Sequence, residues 1–158
     1  MMEERLSTSR RAVFMEGVHD GVPIALGYFV VAFTLGILAK TAGLTPWQGF
    51  VTSAVNIASA GEYAGFTVIA AQAPYVEIAL LTLVANARYF LMSAALSQRF
   101  SPETPLLHRL AVSFGVTDEV FGITVARSGT VNPYYNYGSL AISVPAWSAG
   151  TSAGILAG

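Results

Sequence analysis

The chain has 158 residues, of which 54% are hydrophobic and 11% charged, and it contains no cysteine. Ordinary soluble domains carry roughly 25% charged residues, so this composition and a mean hydropathy of +0.58 argue against a soluble protein and indicate a membrane protein. The formal net charge of −1 gives no basic excess, which argues against a nucleic-acid partner, and the lack of cysteine excludes disulfides and thiolate metal sites.

The first predicted element is a polar tail with an amphipathic stretch, residues 1–20. It shows no short apolar core with a cleavage site, so we expect no signal peptide. Arginines in this tail favour a cytoplasmic N-terminus by the positive-inside rule; they are Arg5, Arg10 and Arg11. The remaining residues, 21–158, have room for about five apolar segments of about 20 residues each, and they predict a single all-α transmembrane domain.

The first span is predicted over Gly21–Ala39, where no charged residue occurs. The second segment, Trp47–Ala73, is polar and glycine-rich from Asn56 to Gly65, which predicts two half-helices joined by irregular backbone. This segment either crosses as a kinked helix or re-enters and returns to its own side. Re-entry would place the later loop that carries Arg99 on the cytoplasmic side, in better agreement with the positive-inside rule.

Three further segments follow. A span is predicted over Val76–Leu96, and it carries Asn86 and Arg88. The segment Leu106–Arg127 is predicted to be interrupted around Thr117-Asp118-Glu119. The last span, Tyr137–Gly158, has a small-residue spacing that allows close helix approach, formed by Gly150, Gly154 and Gly158.

The two interrupted segments share the motif E-x-x-G-x-T-V, which occurs at Glu62–Val68 and again at Glu119–Val125. The repeat predicts an internal duplication, with halves of roughly 45–96 and 104–158 that each bring a carboxylate to a shared site. An odd number of crossings per half would make the repeat inverted, and an even number would make it parallel. Many transporters are built from such repeats.

Glu62 is the first candidate for chemistry, because it lies near the middle of an apolar stretch. A carboxylate at that depth costs about 2.5 to 3.5 kcal/mol on insertion scales, so it should face protein or water. It could accept a proton or a substrate ammonium, or it could be a structural partner for Arg88. Asp118 and Glu119 lie side by side at the second interruption, where they could bind a coupling proton or stay solvated in an interfacial turn.

Further polar residues accompany these carboxylates. Arg88 lies deep enough in its span to favour a buried role, opposite an acidic residue or a substrate carboxylate. Asn86 could bond to an interrupted helix. Asn56 and Ser59, which precede the first carboxylate, could bind substrate or cap the ends of half-helices. Gly61 is a further candidate for the substrate site, or it could form a packing face with Gly65.

Other chemistries lack the residues that they need. His19 and His108 lie near segment ends without a second histidine at metal-ligand spacing, so no metal site is predicted. The sequence has no glycine-rich phosphate loop with a lysine, and no Gly-x-Ser-x-Gly or His-Glu-x-x-His motif. We therefore expect no nucleotide hydrolysis, no enzymatic activity and no cofactor.

The order of motifs resembles the large subunit of the branched-chain amino-acid exporters, the AzlC-type family. The resemblance implies export of branched-chain amino acids, in complex with a smaller membrane subunit of the AzlD type. Two features depart from the family pattern, which more usually has glutamine at the position of Glu62 and continues for several spans after the position of Gly158. The similar stretches are Gly17–Gly27, Ser59–Glu62, Asn86–Tyr89, Thr117–Phe121 and Gly150–Gly158.

We therefore expect a transporter subunit in the inner cell membrane that exports amino acids by proton coupling. Its expected partners are an AzlD-type subunit or further copies of the same chain, with lipid around them. Two other interpretations stay open: a channel-like facilitator, in which the carboxylates set cation preference, and a non-transporting assembly subunit. Proton dependence of uphill flux distinguishes the first, and flux with and without a partner distinguishes the second.

Overall fold

A computed structural model describes the backbone of residues 2–158 and the side chains of residues 10–158. The all-α prediction is confirmed, because residues 2–158 form helices and no β-strand. Eight helices follow one another through this range: α1 Met2–Thr41, α2 Pro46–Val55, α3 Ser59–Ala70, α4 Tyr75–Asn86, α5 Arg88–Ser97, α6 Leu106–Phe114, α7 Asp118–Val125 and α8 Pro133–Ala157.

Both interrupted segments are broken helices. The first break covers residues 56–58, between α2 and α3, and the second covers residues 115–117, between α6 and α7. Asn56 leaves the helical region, with φ −134° and ψ 87°, and so ends α2. The first break comes earlier in the chain than the centre of the predicted interruption. Gly61 and Glu62 therefore lie in the first turn of α3 and not in irregular backbone.

The third segment is bent, although the sequence predicts one continuous span. α4 ends at Asn86, α5 begins at Arg88, and the two helices meet at an angle of 45°. The bend lies between Asn86 and Arg88, the two polar residues that the sequence analysis names in this segment. No proline marks the position, which is why the sequence pattern does not show it.

The prediction of five apolar segments is not confirmed as five crossings. Among residues 2–158, two helices are long and apolar enough to cross a membrane, α1 over Arg10–Thr41 and α8 over Pro133–Ala157. The bent pair α4–α5 is a third span if it is counted as one. The four helices α2, α3, α6 and α7 are each about 12 to 18 Å long at 1.5 Å per residue, too short for a hydrocarbon core of about 30 Å.

The chain divides into two compact units. Unit 1 contains Met1–Ile24 and Tyr89–Ser143, and unit 2 contains Ala25–Arg88 and Val144–Gly158. The two long helices α1 and α8 each contribute residues to both units. The predicted duplication stays a prediction.

In unit 1, α1 and α8 lie side by side in parallel. A methyl group on Gly17 would overlap the carbonyl oxygen of Tyr135, and a methyl group on Gly21 would lie 3.0 Å from the Cα of Ser139. Positions further along α1 thus contact positions further along α8. The two spans therefore begin at the same end of the unit.

The broken segment α6–α7 returns to the end of unit 1 at which it begins. The backbone N–H of Val131, after α7, donates to the carbonyl of Arg99, before α6, over 2.8 Å, and Phe100 forms a parallel bridge with Val131. The Arg99 guanidinium also donates to the carbonyls of Val125 (3.1 Å) and Gly129 (2.9 Å). The segment is therefore a closed helical hairpin. Its buried apolar core contains Leu96, Phe100, Val112, Val116 and Val131.

In unit 2, the glycines of α8 allow α1 to approach closely. A methyl group on Gly150 would lie 2.5 Å from the carbonyl oxygen of Phe29, and one on Gly154 would overlap the carbonyl of Phe33. A methyl group on Gly158 would meet no backbone atom of α1 this closely, and its nearest neighbour in α1 is a side-chain carbon of Ile37, at 3.2 Å. The small-residue spacing of α8 thus packs two helices of this chain together, again in parallel.

Replacing Gly154 with alanine is expected to destabilise the protein. The new methyl group would overlap the Phe33 carbonyl, so the helices must separate, and overpacking of this kind costs roughly 1 to 3 kcal/mol. Gly65→Ala is the matched control, because nothing among residues 10–158 lies within 4 Å of its Cβ position. Thermal unfolding in detergent compares the two variants. Equal unfolding temperatures would contradict the close approach of α1 and α8.

Candidate substrate and proton site

Glu62 is a buried carboxylate in the first turn of α3, with 1% of its surface exposed. The indole N–H of Trp147, on α8, donates to Glu62 Oε1 over 2.6 Å. Glu62 Oε2 has no hydrogen-bond partner among residues 10–158. Because buried polar atoms in proteins are nearly always hydrogen-bonded, Oε2 is a position for a proton or for a donor group of a ligand.

Two asparagines lie beside the start of α3. A Cβ on Gly61 would lie 2.7 Å from Asn86 Nδ2 and 3.3 Å from Asn56 Nδ2, so only glycine leaves room for both amides. Asn86 Oδ1 is buried and, like Glu62 Oε2, has no hydrogen-bond partner within the described part of the chain. The structure therefore brings four of the predicted site residues together: Asn56, Gly61, Glu62 and Asn86.

The N-terminus of α3 has no side-chain cap from residues 10–158. Its N-cap residue is Ala58, whose methyl group cannot accept a hydrogen bond. Glu62 N donates to Ala58 O over 2.8 Å, and the N–H groups before it, from Ser59 to Gly61, have no acceptor within the helix. Free N–H groups and the helix dipole favour an anionic group at this position.

Two further buried contacts hold the helix that supplies Trp147. The Tyr28 ring meets the Trp147 indole edge-on, with ring centroids 5.3 Å apart and an interplanar angle of 72°. One turn further along α8, Thr151 accepts a hydrogen bond from the Ser53 hydroxyl over 2.7 Å, which joins α2 to α8. The indole donor is thus fixed by contacts other than its bond to the carboxylate.

The other predicted site residues are exposed. Asp118 and Glu119 occupy the first turn of α7 in unit 1, and Thr117 caps that helix, unlike the open start of α3. Arg88 and Ser59 begin α5 and α3, and both are exposed as well. The carboxylates of α7 therefore have surroundings different from those of the buried carboxylate of α3.

The two copies of the repeated motif share one local feature. The hydroxyls of Thr67 and Thr124 each donate to the backbone carbonyl four residues earlier, over 2.7 Å and 2.6 Å. Both motifs also follow a helix break. Glu62, however, lies one turn into α3, whereas Glu119 is at the very start of α7. Superposition of the two halves stays a prediction.

Trp147 is a site residue that the sequence analysis missed. It donates the hydrogen bond to Glu62 that the alternative interpretation gave to Arg88. A signal was present, because Trp147 shares one face of α8 with Thr151 and Gly154 at spacings of three and four residues. A tryptophan on a face of small and polar residues needs an acceptor for its N–H when buried. The pattern does not say which acceptor.

The histidines take part in local contacts. His108 Nδ1 lies 2.7 Å from the Tyr137 hydroxyl, and His19 Nδ1 lies 3.2 Å from Asp20 Oδ1. Among residues 10–158, no group of three or more histidine, aspartate and glutamate side chains could hold a metal ion.

Long apolar helices, broken half-helices and a buried carboxylate define a helical membrane protein with a polar site inside its apolar region. A family model described as AzlC protein matches residues 23–158, so the chain belongs to the AzlC family. No solved structure matches the chain.

Two relatives are also membrane proteins. The chain is 30% identical over 152 residues to an "Uncharacterized membrane protein" of Archaeoglobus fulgidus, which covers 96% of this chain and 66% of the relative. It is 30% identical over 116 residues to "Inner membrane protein YgaZ" of Escherichia coli K12, which covers 73% of this chain and 47% of the relative. The chain thus spans about two thirds of the first relative's length and about half of the second's.

Proposed function

We propose that the chain is a subunit of a proton-coupled exporter of amino acids, with branched-chain amino acids as the substrates. One observation carries the proposal: the carboxylate of Glu62 is 1% exposed and has an oxygen without a hydrogen-bond partner among residues 10–158, beside the uncapped start of α3. Membership of the AzlC family supports a membrane transporter subunit. An AzlD-type subunit or a second copy of the chain is the proposed partner.

A free amino acid matches the charges of this site. Its carboxylate would lie against the open N–H groups of Ser59–Gly61, where the helix dipole favours an anion. Its ammonium group carries three donors, and the buried acceptors Glu62 Oε2 and Asn86 Oδ1 lack donors within residues 10–158. An aliphatic side chain would lie against the buried apolar residues of the break, Ile57 and Ala58.

Glu62 also provides a simple means of proton coupling. The ionised carboxylate attracts an ammonium group, whereas the protonated form is neutral and occupies Oε2 with its own hydrogen. A proton and an ammonium group therefore exclude each other at the same oxygen, which is the exchange that a proton-driven exporter requires. Asp118 and Glu119 stay the alternative carriers of the proton, and Arg88 stays a candidate for the substrate carboxylate.

The order of the helices in the chain supports a topology in which the segment that carries the site, α2–α3, re-enters the membrane. Arg10, at the start of the α1 span, lines one pocket with Thr104 and Asn132, which flank the hairpin α6–α7. The loop before α6 thus lies on the same side of the membrane as the start of α1. Because α1 crosses the membrane once, one of the two segments that follow it, α2–α3 or α4–α5, crosses back, and the other re-enters and returns to its own side. Of these two segments, α4–α5 is the one that is long and apolar enough to count as a span within the described residues, when its two bent helices are taken together. We infer that α2–α3 re-enters.

This topology places four of the eight basic residues on one side, together with the start of α1. By the positive-inside rule that side is cytoplasmic, which supports the proposed location in the inner membrane with the N-terminus in the cytoplasm. The basic residues concerned are Arg10, Arg99, Arg109 and Arg127.

Single cysteines in this cysteine-free chain test the topology. Thr41→Cys and Ala71→Cys, in the turns before α2 and after α3, are expected to react with an impermeant maleimide from the same side of the membrane. Glu103→Cys, in the loop before α6, is expected to react from the opposite side, because α1 crosses between them. Labelling of the first two variants from opposite sides would show that α2–α3 crosses.

Uphill flux from purified protein in liposomes tests the proposed function. With and without an AzlD-type subunit, we expect leucine, isoleucine or valine to move against its gradient when a pH gradient is imposed. Flux that only runs downhill at every pH would indicate the channel-like facilitator. Absence of flux in the presence of the partner, with complex formation intact, would indicate an assembly subunit.

A further inference from the structure

A polar pocket lies in unit 1, at the end where the α1 and α8 spans begin. Its volume is about 310 Å³, within the usual range of small-ligand sites. Arg10 of α1 lines it, and the Arg10 guanidinium lies 5.4 Å from the centre of the Tyr134 ring, which also lines the pocket. The other lining residues come from the loops before α6 and α8: Ser101, Thr104, Thr130, Val131, Asn132 and Pro133.

Three backbone carbonyls in or next to this pocket are bonded to arginines. The Arg109 guanidinium donates to the carbonyls of Ser101 (2.8 Å) and Thr104 (3.2 Å). Arg99 donates in the same way to the carbonyl of Gly129, over 2.9 Å. Two cations therefore neutralise the acceptors that would otherwise repel an anion.

The groups that line the pocket are mostly donors. A guanidinium, from Arg10, and three aliphatic hydroxyls, from Ser101, Thr104 and Thr130, belong to the lining, together with Tyr134. No carboxylate does so among residues 10–158, since Glu103, in the same loop, is exposed and outside the lining. A guanidinium fork with hydroxyl donors nearby is suited to the oxygens of a phosphate group.

We propose that this pocket binds the phosphate of an anionic phospholipid headgroup. Arg10 precedes the uncharged stretch of α1, Gly21–Ala39, and Pro133 begins α8, so the pocket lies beyond the apolar part of the two helices, on the side where a bilayer presents its headgroups. A soluble phosphate would offer the same chemistry, but it is not concentrated at the level of the lipid headgroups. The proposal is independent of the substrate site in unit 2.

Binding of phosphatidylglycerol to the full chain in phosphatidylcholine nanodiscs tests the proposal. Native mass spectrometry of a lipid titration is expected to show saturable binding in the wild type. Arg10→Gln is expected to weaken that binding about tenfold, since it removes a charge-assisted contact. Arg11→Gln makes the same change of charge one residue away, at an exposed position outside the lining, and is expected to leave binding within about twofold.

Two further comparisons make the result decisive. Thr130→Val removes an exposed hydroxyl of the lining without changing the charge of the protein. It is the variant to measure if Arg10→Gln fails to fold. It too should weaken phosphatidylglycerol binding. Equal losses from Arg10→Gln and Arg11→Gln, or equal binding of phosphatidylglycerol and phosphatidylcholine, would overturn the proposal. Inorganic phosphate that displaces the lipid at the same concentration would overturn the lipid source and leave a phosphate site.

Discussion

Glu62→Gln is expected to abolish uphill export driven by a pH gradient, while exchange of labelled substrate down its gradient continues. Glutamine has nearly the same shape as glutamate, and its amide oxygen can still accept the indole hydrogen bond of Trp147, which spans 2.6 Å in the wild type. It cannot titrate, so the exclusion between proton and ammonium disappears. Flux in liposomes at several imposed pH gradients measures the effect, and uphill flux should fall to the level of protein-free liposomes.

Glu77→Gln is the control for this experiment, because Glu77 is an exposed acidic residue in the first turn of α4. It should export as the wild type does. A Glu62→Gln protein that still exports uphill with unchanged pH dependence would remove Glu62 from proton coupling and leave Asp118 or Glu119 as the candidate. A loss of about 3 to 5 kcal/mol of unfolding free energy in Glu62→Gln would instead indicate a buried cation paired with the carboxylate.

Trp147→Phe is expected to lower the unfolding free energy by about 2 to 3 kcal/mol, because it removes the hydrogen bond that the Trp147 indole donates to Glu62 Oε1 over 2.6 Å and leaves that oxygen of a buried carboxylate without its indole donor. The matched control is Trp47→Phe. Trp47 is 71% exposed and stacks on Phe50, with ring centroids 5.8 Å apart, so its replacement should change stability by less than about 0.5 kcal/mol. Chemical unfolding in detergent measures both variants.

A double-mutant cycle separates the hydrogen bond from the loss of aromatic packing. In a Glu62→Gln background, Trp147→Phe should cost at least about 1 kcal/mol less than in the wild type, since an amide oxygen is less costly to leave unsatisfied than a carboxylate. Additive costs in the cycle would show that Trp147 contributes through packing against Tyr28 and not through its N–H.

The sequence is informative about the site where polar residues interrupt an apolar stretch. Asn56, Gly61 and Glu62 occur within one short segment, and lipid cannot satisfy a carboxylate or an asparagine side chain. These residues therefore had to face protein or a cavity. Asn86, on the next segment, is also a polar residue in an apolar stretch, and the structure places it beside Gly61.

The partner of the carboxylate could not be found in this way. Glu62 and Trp147 are 85 residues apart in the chain, and periodicity within a segment does not say which helix lies across from it. Hydrophobicity does not distinguish a segment that crosses the membrane from one that re-enters. Two half-helices that return to the same side have the same composition as one helix that crosses. The closure of the α6–α7 hairpin depends on Arg99, which donates to three backbone carbonyls at the end of α7 and after it, those of Val125, Arg127 and Gly129.

A segment that re-enters also changes what must be moved through the bilayer during biogenesis. If α2–α3 returns to its own side, the connections to be translocated are the two turns at residues 42–45 and 71–74. Neither turn contains a charged residue, and the nearest charges are Lys40 and Glu77. Translocation of each further charge would raise the cost of insertion. Re-entry of α2–α3 would therefore let the chain place a polar site in the membrane without exporting a polar loop.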